Sequence, residues 1–165
     1  LIETPIETDN FEDFNIGLQW QWQANPDVVW HAKLPGNNFL RLFSIKVPKG
    51  AANLWNTPNL LLQKFPAPNF TATTQVKLVP EEVTEGKSAG IIVMGMDYAS
   101  LAITHDKNGF YVQQEEAINA IKGAKEVVNE QKRLASNTVY FKVKVTAPNA
   151  MCQFLFSEMV KNLKK

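Results

Sequence analysis

Side chains able to carry acid–base, nucleophilic or metal chemistry are few in this sequence, and their spacing does not serve such chemistry. The paired acids Glu81-Glu82 and Glu115-Glu116 are the first candidates for a two-carboxylate hydrolase. Cleaving a glycosidic bond needs two carboxyls held roughly 5–9.5 Å apart across a sugar, in distinct environments. Adjacent residues on a strand point to opposite faces, and Glu81-Glu82 follows Pro80 in an expected loop, so neither pair can close on one substrate. Neither His31 nor His105 has a second ligand at metal-site spacing. The single cysteine, Cys152, allows no internal disulfide. It lies in the apolar run Met151-Cys152-Gln153-Phe154-Leu155-Phe156 and reads as a small buried hydrophobe. There is no Gly-rich phosphate loop, Walker motif or nucleophile elbow. No residue is assigned a catalytic role.

The aromatic residues are more informative. Four tryptophans, Trp20, Trp22, Trp30 and Trp55, are many for 165 residues. Exposed, coplanar indoles can form a platform for the apolar faces of sugars. Trp20 and Trp22 share the strand face of Leu18, which makes them core or domain-interface residues. Trp55 stands beside Asn53, Asn56 and Pro58 in a loop and is the best candidate for an exposed ring. Gln19, Gln21 and Gln23 alternate with the first two indoles and supply hydrogen-bonding groups. The candidate carbohydrate-binding or domain-interface set is therefore Trp20, Trp22, Trp30, Trp55 and Gln21.

The elements that would position these groups have a period of two. Leu18, Trp20 and Trp22 alternate with glutamines; Phe70, Ala72, Thr74, Val76 and Leu78 alternate with Thr71, Thr73, Gln75 and Lys77; Val139, Phe141, Val143 and Val145 alternate with Tyr140, Lys142 and Lys144. Such alternation marks strands with one buried face. Strands are also expected over 28–34, 39–45, 89–96, 98–105 and 110–114. Pro35-Gly36-Asn37-Asn38, Pro48-Lys49-Gly50 and Asp106-Lys107-Asn108-Gly109 separate them, the last as a hairpin turn. Residues 117–134 carry a helical stripe, Ile118, Ile121, Ala124 and Val128. Consistency with the surrounding pattern favours instead a hairpin turning at Lys122-Gly123. Many short strands at regular spacing give an all-β sandwich or barrel.

A chain of 165 residues, 45% hydrophobic and 20% charged, suits one globular domain with a real core. A net charge of +1 sets up no field for nucleic acid or an anionic membrane surface, and no run approaches the ~18 apolar residues of a membrane helix. Neither nucleic acid nor membrane is an expected partner. Residues 1–8 are read as linker or an edge strand. Residues 9–165 are read as a single β-sandwich domain, a fragment of something longer.

Asp9-Asn10-Phe11, Leu18-Gln19-Trp20-Gln21-Trp22, Asn25-Pro26, Trp30 and Phe39-Leu40-Arg41-Leu42 follow one another in an order that resembles the C-terminal domain of glycoside hydrolase family 43, the β-xylosidases and α-L-arabinofuranosidases. In that family a D-x-F opening leads to a Q-W-x-W-N-x-N-P-like stretch, a tryptophan, then G-x-L-R-L. Asn59–Gln63 resembles its N-x-L-x-Q segment, and Ser88–Gly90 and Asp97-Tyr98 fit as well. The likeness covers about residues 9 to 157. Asn37-Asn38-Phe39 lengthens the G-x-L-R-L spacing here, and the family's late Gly- and aromatic-rich segment has no counterpart before Lys165.

This resemblance implies an all-β, two-sheet antiparallel sandwich of the jelly-roll, concanavalin-A-like kind. It implies a separate five-bladed propeller, N-terminal to this segment, as the catalytic domain and partner. The chain itself would be an accessory domain in xylan or arabinan degradation; the alternative is a carbohydrate-binding module for xylan-type glycans. No cofactor is required. Jelly-roll domains often hold a structural calcium, with Asp9 as the ligand to consider here, although no calcium motif is visible. Plant-glycan breakdown suits a periplasmic or extracellular parent best, and a cytoplasmic one as well.

Overall fold

The protein is seen in a computed structural model that describes residues 8–80 and 86–158; Glu81 and Glu82 lie outside them, as do residues 1–7 of the expected linker. The chain divides into two compact units, Leu1–Pro66 and Ala67–Lys165.

In the N-terminal unit the strands expected over 18–23, 28–34 and 39–45 shrink to two residues each. β1 is Gln21–Trp22, β2 His31–Ala32, β3 Arg41–Leu42 and β4 Leu61–Leu62. β1 pairs antiparallel with β4, and β2 with β3. Local hydrogen bonds explain the shortening. Trp20 N donates to Gly17 O at 3.0 Å, closing a turn that leaves Leu18 fully exposed. Leu18 and the indoles therefore share no strand face. Asp27 caps a 3-10 turn over Val28–Trp30 by accepting from Val29 N at 3.1 Å. Three residues per turn point successive side chains in different directions, so Trp30 is buried while Val28 and Val29 stay in solvent.

The C-terminal unit realises the period-two pattern. β5 is Phe70–Lys77, β6 Ser88–Met94, β7 Tyr98–Asp106, β8 Gly109–Ala117, β9 Val127–Arg133, β10 Thr138–Thr146 and β11 Met151–Ser157. They form an antiparallel four-stranded sheet, β6-β7-β8-β9, and an antiparallel three-stranded sheet, β11-β10-β5. One core cluster joins the sheets, with Leu101, Ile103 and Val112 from the first and Val139 and Phe141 from the second. Two sheets sharing one apolar interior make the expected all-β sandwich.

Turn chemistry fixes the register. β7 and β8 close on the pair Asp106–Gly109, with Asn108 N donating to Asp106 Oδ1 at 2.7 Å. Residues 117–134 form a hairpin. A 3-10 turn at Ala120–Lys122 stands between Asn119 (φ 60°) and Gly123 (φ 82°), and Gly123 N donates to Ala120 O at 2.9 Å. Left-handed residues at both ends stop any helix from propagating, so the stripe of Ile118, Ile121, Ala124 and Val128 is never used as one. β8 pairs with β9 through a register shift between Gln114 and Glu115. β9 is exposed along its whole length and carries Glu130, Lys132 and Arg133, charges that discourage edge-to-edge association.

Candidate functional site

All four indoles fall in the N-terminal unit and all three tyrosines, Tyr98, Tyr111 and Tyr140, in the C-terminal one. The indoles do not gather into one platform. Trp22 meets Trp30 edge-on, with ring centroids 5.4 Å apart at 63°, and lies 5.6 Å from the His31 ring. Trp30 is buried, and an edge-on pair presents no flat surface to a sugar. Trp20 turns away from this cluster to Phe11, 5.7 Å distant at 30°. Trp55 sits half-buried in a 3-10 turn whose cap, Asn53 Oδ1, accepts from Trp55 N at 2.8 Å. Gln21 is exposed on β1.

Asp9 organises the start of the chain. Its Oδ1 accepts from Phe11 N at 2.8 Å, and its Oδ2 from Trp20 Nε1 at 2.7 Å and Gln19 Nε2 at 3.1 Å. Three N–H groups converge on this carboxylate. A calcium ion wants six to eight oxygens, and the N–H groups around Asp9 would turn their positive ends toward it. The residues present do not fit the ion. Among the described residues no three His, Cys, Asp or Glu side chains are grouped to hold a metal.

The remaining reactive groups are dispersed. His105 packs on Phe110 with centroids 4.7 Å apart. Cys152 is half-buried rather than buried, and desolvation pushes its thiol up from its ordinary pKa, away from the reactive thiolate. Glu115 and Glu116 stand opposite Ser100 and Ala99 respectively, on the two faces of β8. Between the sheets, Phe154 and Phe156 face Leu101 and Val112 across a cleft of about 100 Å³ whose polar lining includes Glu130 and Lys132. Lys132 Nζ lies 5.5 Å from the Phe156 ring centroid.

A denser polar array covers the other face of the four-stranded sheet. Pairing sets its rows: Ile92, Ser100, Glu115 and Val128; Gly90, Ala102, Gln113 and Gln131; Ser88, Thr104, Tyr111 and Arg133. Gln131 Nε2 donates to Gln113 Oε1 at 2.9 Å, and Gln113 Nε2 to Glu115 Oε1 at 2.5 Å. Tyr98 donates its hydroxyl to Glu126 Oε1 at 2.5 Å. Burial raises the pKa of Glu115, the Gln113 hydrogen bond opposes the rise, and the Glu126 charge adds to it. Ser100 Oγ is buried and makes no hydrogen bond. Sequence reasoning missed this array because its members come from separate strands. The signal available was Tyr111, Gln113 and Glu115 repeating at period two on a strand that also carries core residues.

Comparison with known proteins places these observations. The sequence matches the model of the beta-xylosidase C-terminal concanavalin A-like domain over residues 8–165. No curated protein sequence matches the chain. Among solved structures, a bifunctional GH43-CE protein from Bacteroides eggerthii superposes with a TM-score of 0.74 at 21% identity, over 90% of this chain and 18% of that one. A second is a GH43 glycoside hydrolase whose engineered active site displays both endo-xylanase and exo-arabinofuranosidase activity. It gives a TM-score of 0.71 at 16% identity, over 95% of this chain and 31% of that one. At these identities the neighbours share the fold, and this chain spans less than a third of either.

Proposed function

The chain belongs to the family of β-xylosidase C-terminal concanavalin A-like domains, and on that premise we propose that it is a non-catalytic accessory domain of a larger glycosidase degrading xylan- or arabinan-type polysaccharides. It packs on a separate propeller catalytic domain and braces it. The observation that carries this reading is the apolar surface of the N-terminal unit. Leu18, Val28, Phe14, Val29, Val47 and Leu34 are each more than half exposed. Scattered apolar side chains are ordinary on a protein surface, and the C-terminal unit exposes Met96, Val79 and Met151 as well; the six of the N-terminal unit fall within a shorter stretch of chain and suit a covered interface.

The test is assembly in trans. The catalytic part of the parent chain is produced with and without this chain, and its melting temperature and release of nitrophenol from nitrophenyl pentosides are followed. The two parts are expected to co-elute, and the catalytic part to melt higher when partnered. Leu18→Asp with Val28→Asp should abolish both effects, since charge is not tolerated in a desolvated contact. Failure to co-elute, or indifference to the double substitution, would overturn the proposal.

A second reading, a carbohydrate-binding module for xylan-type glycans, is favoured by the cleft between the sheets, with its phenylalanine wall and polar rim.

A further inference from the structure

The sandwich opens to solvent between β9 and β11. β9 is exposed along its whole length, and Phe154 and Phe156 of β11 pack at the margin of the core while remaining only half-buried. Pairing sets Lys132 opposite Val112 and Glu130 opposite Gln114, and Gln114 opposite Leu101. Residues paired across antiparallel strands share a face, so both charges of β9 stand on the side of the sheet that carries the core. With Phe154 and Phe156 these residues line a cleft of about 100 Å³.

The polar groups of this cleft are placed but not consumed. Lys132 Nζ lies 5.5 Å from the Phe156 ring centroid, a cation resting on an aromatic face. Glu130 is two positions away on the same strand face, yet among the described residues the two charges form no ion pair and the Glu130 carboxylate accepts no hydrogen bond. Gln114 Nε2 donates to the Glu115 carbonyl at 3.1 Å, which fixes the amide and leaves its Oε1 to accept. The register shift between Gln114 and Glu115 is an irregularity of the kind that re-aims side chains next to sites. The rim therefore offers a donor, Lys132, and two acceptors, Glu130 and Gln114, with no net charge. The rest of the lining, Leu101, Val112, Phe154 and Phe156, is apolar.

We propose that this cleft binds one pentopyranose ring of a neutral xylan-type chain, with its C–H face against Phe154 and Phe156 and its hydroxyls held by Gln114, Glu130 and Lys132. That the ligand is a glycan rests on the carbohydrate-binding reading above; the placement and the size of the ring rest on the geometry. A sugar ring has an apolar face and a rim of hydroxyls, each both donor and acceptor, and the lining is divided in the same way. The cleft is smaller than the roughly 300–1,000 Å³ that encloses a drug-sized ligand, so one ring enters and the rest of the chain stays in solvent. A pentopyranose lacks the hydroxymethyl arm of a hexopyranose and is the smaller of the two. An anionic ligand would meet Glu130, and an organic cation would meet Lys132. A divalent metal ion finds a single carboxylate, fewer oxygens than it normally takes.

The test is a titration of the 165-residue chain with xylotriose and with cellotriose, followed by backbone amide NMR shifts. Saturable shifts are expected at Gln114, Glu130, Lys132, Phe154 and Phe156 with millimolar xylotriose, and cellotriose should bind about tenfold more weakly, the effect of its extra carbon on each ring. Glu130→Ala and Lys132→Ala should each weaken xylotriose binding by roughly threefold to tenfold, the effect of one hydrogen bond. Both side chains are exposed, so the unfolding midpoint should stay where it is. Unchanged affinity in both variants would mean that the two charges only guard the sheet edge, and that result overturns the proposal. So does cellotriose binding as tightly as xylotriose. Shifts confined to the Trp55 turn and lost in Trp55→Ala overturn this placement and leave the carbohydrate-binding reading standing; no shift with either sugar removes both. None of these outcomes bears on assembly with the catalytic part, which is read in its own assay.

Discussion

Phe141→Ala is the sharpest test of the sandwich. Phe141 is fully buried at the middle of β10, between Thr74 of β5 and Phe156 of β11 in the ladder. Its ring belongs to the cluster that holds the two sheets together. Truncating a buried Phe to Ala typically costs about 3–5 kcal/mol, less where the site can collapse. Here collapse is restrained, because β10 is the central strand of its sheet and is hydrogen-bonded on both sides. The upper part of that range, about 4 kcal/mol, is therefore expected. Leu155→Ala is the control: Leu155 pairs with Lys142 on the outward side and keeps 41% of its surface in solvent, so its loss should be about 1 kcal/mol, well below that of Phe141→Ala. Urea unfolding followed by far-ultraviolet circular dichroism gives both values. A loss below about 1 kcal/mol for Phe141→Ala, or equal losses in the two variants, would refute the claim that both sheets share this core.

Two other outcomes follow from single positions. Gly90→Val drives a branched side chain into the Leu101 carbonyl and Ala102; it should destabilise by about 1–3 kcal/mol, measured by the same unfolding experiment. Glu115→Gln concerns pH. The folded-state pKa of Glu115 is raised, mainly by burial, so the native state holds its proton more tightly than the unfolded chain. Its contribution to stability is then present below the ordinary glutamate value of 4.5 and is lost as pH rises through the higher folded pKa. The parent should lose stability across that window relative to Glu115→Gln, which cannot titrate; parallel melting curves from acid to neutral pH would sink the argument.

The C-terminal unit was legible in the sequence because each of its main strands buries one side. Val139, Phe141, Val143 and Val145 go in while Tyr140 and Lys144 go out, and no neighbour is needed to see it. β9 was less plain: all seven of its residues are exposed, so no alternation marks it, and the helical stripe before it competes until Asn119 and Gly123 break it. The N-terminal unit defeated pattern reading for another reason. Its backbone is steered by single side chains, Asp27 capping one turn and Asp9 gathering Phe11, Gln19 and Trp20, and such contacts leave no periodic trace. Of the indoles singled out, Trp22 and Trp30 meet edge-on and Trp20 packs on Phe11, while the polar array needs cross-strand register to be seen. Ser100 and Glu115 stand fifteen positions apart and meet only once the β7–β8 turn is set.

The segregation of the indoles from the phenols makes this chain its own two-channel optical instrument. Red-edge excitation would reach only the N-terminal unit, and phenol absorbance differences only the C-terminal one. Docking of a protein partner on the first unit should therefore alter tryptophan emission and leave the tyrosine signal flat. A saccharide bound between the sheets should leave tryptophan emission flat. One unlabelled sample can thus keep the two kinds of association apart.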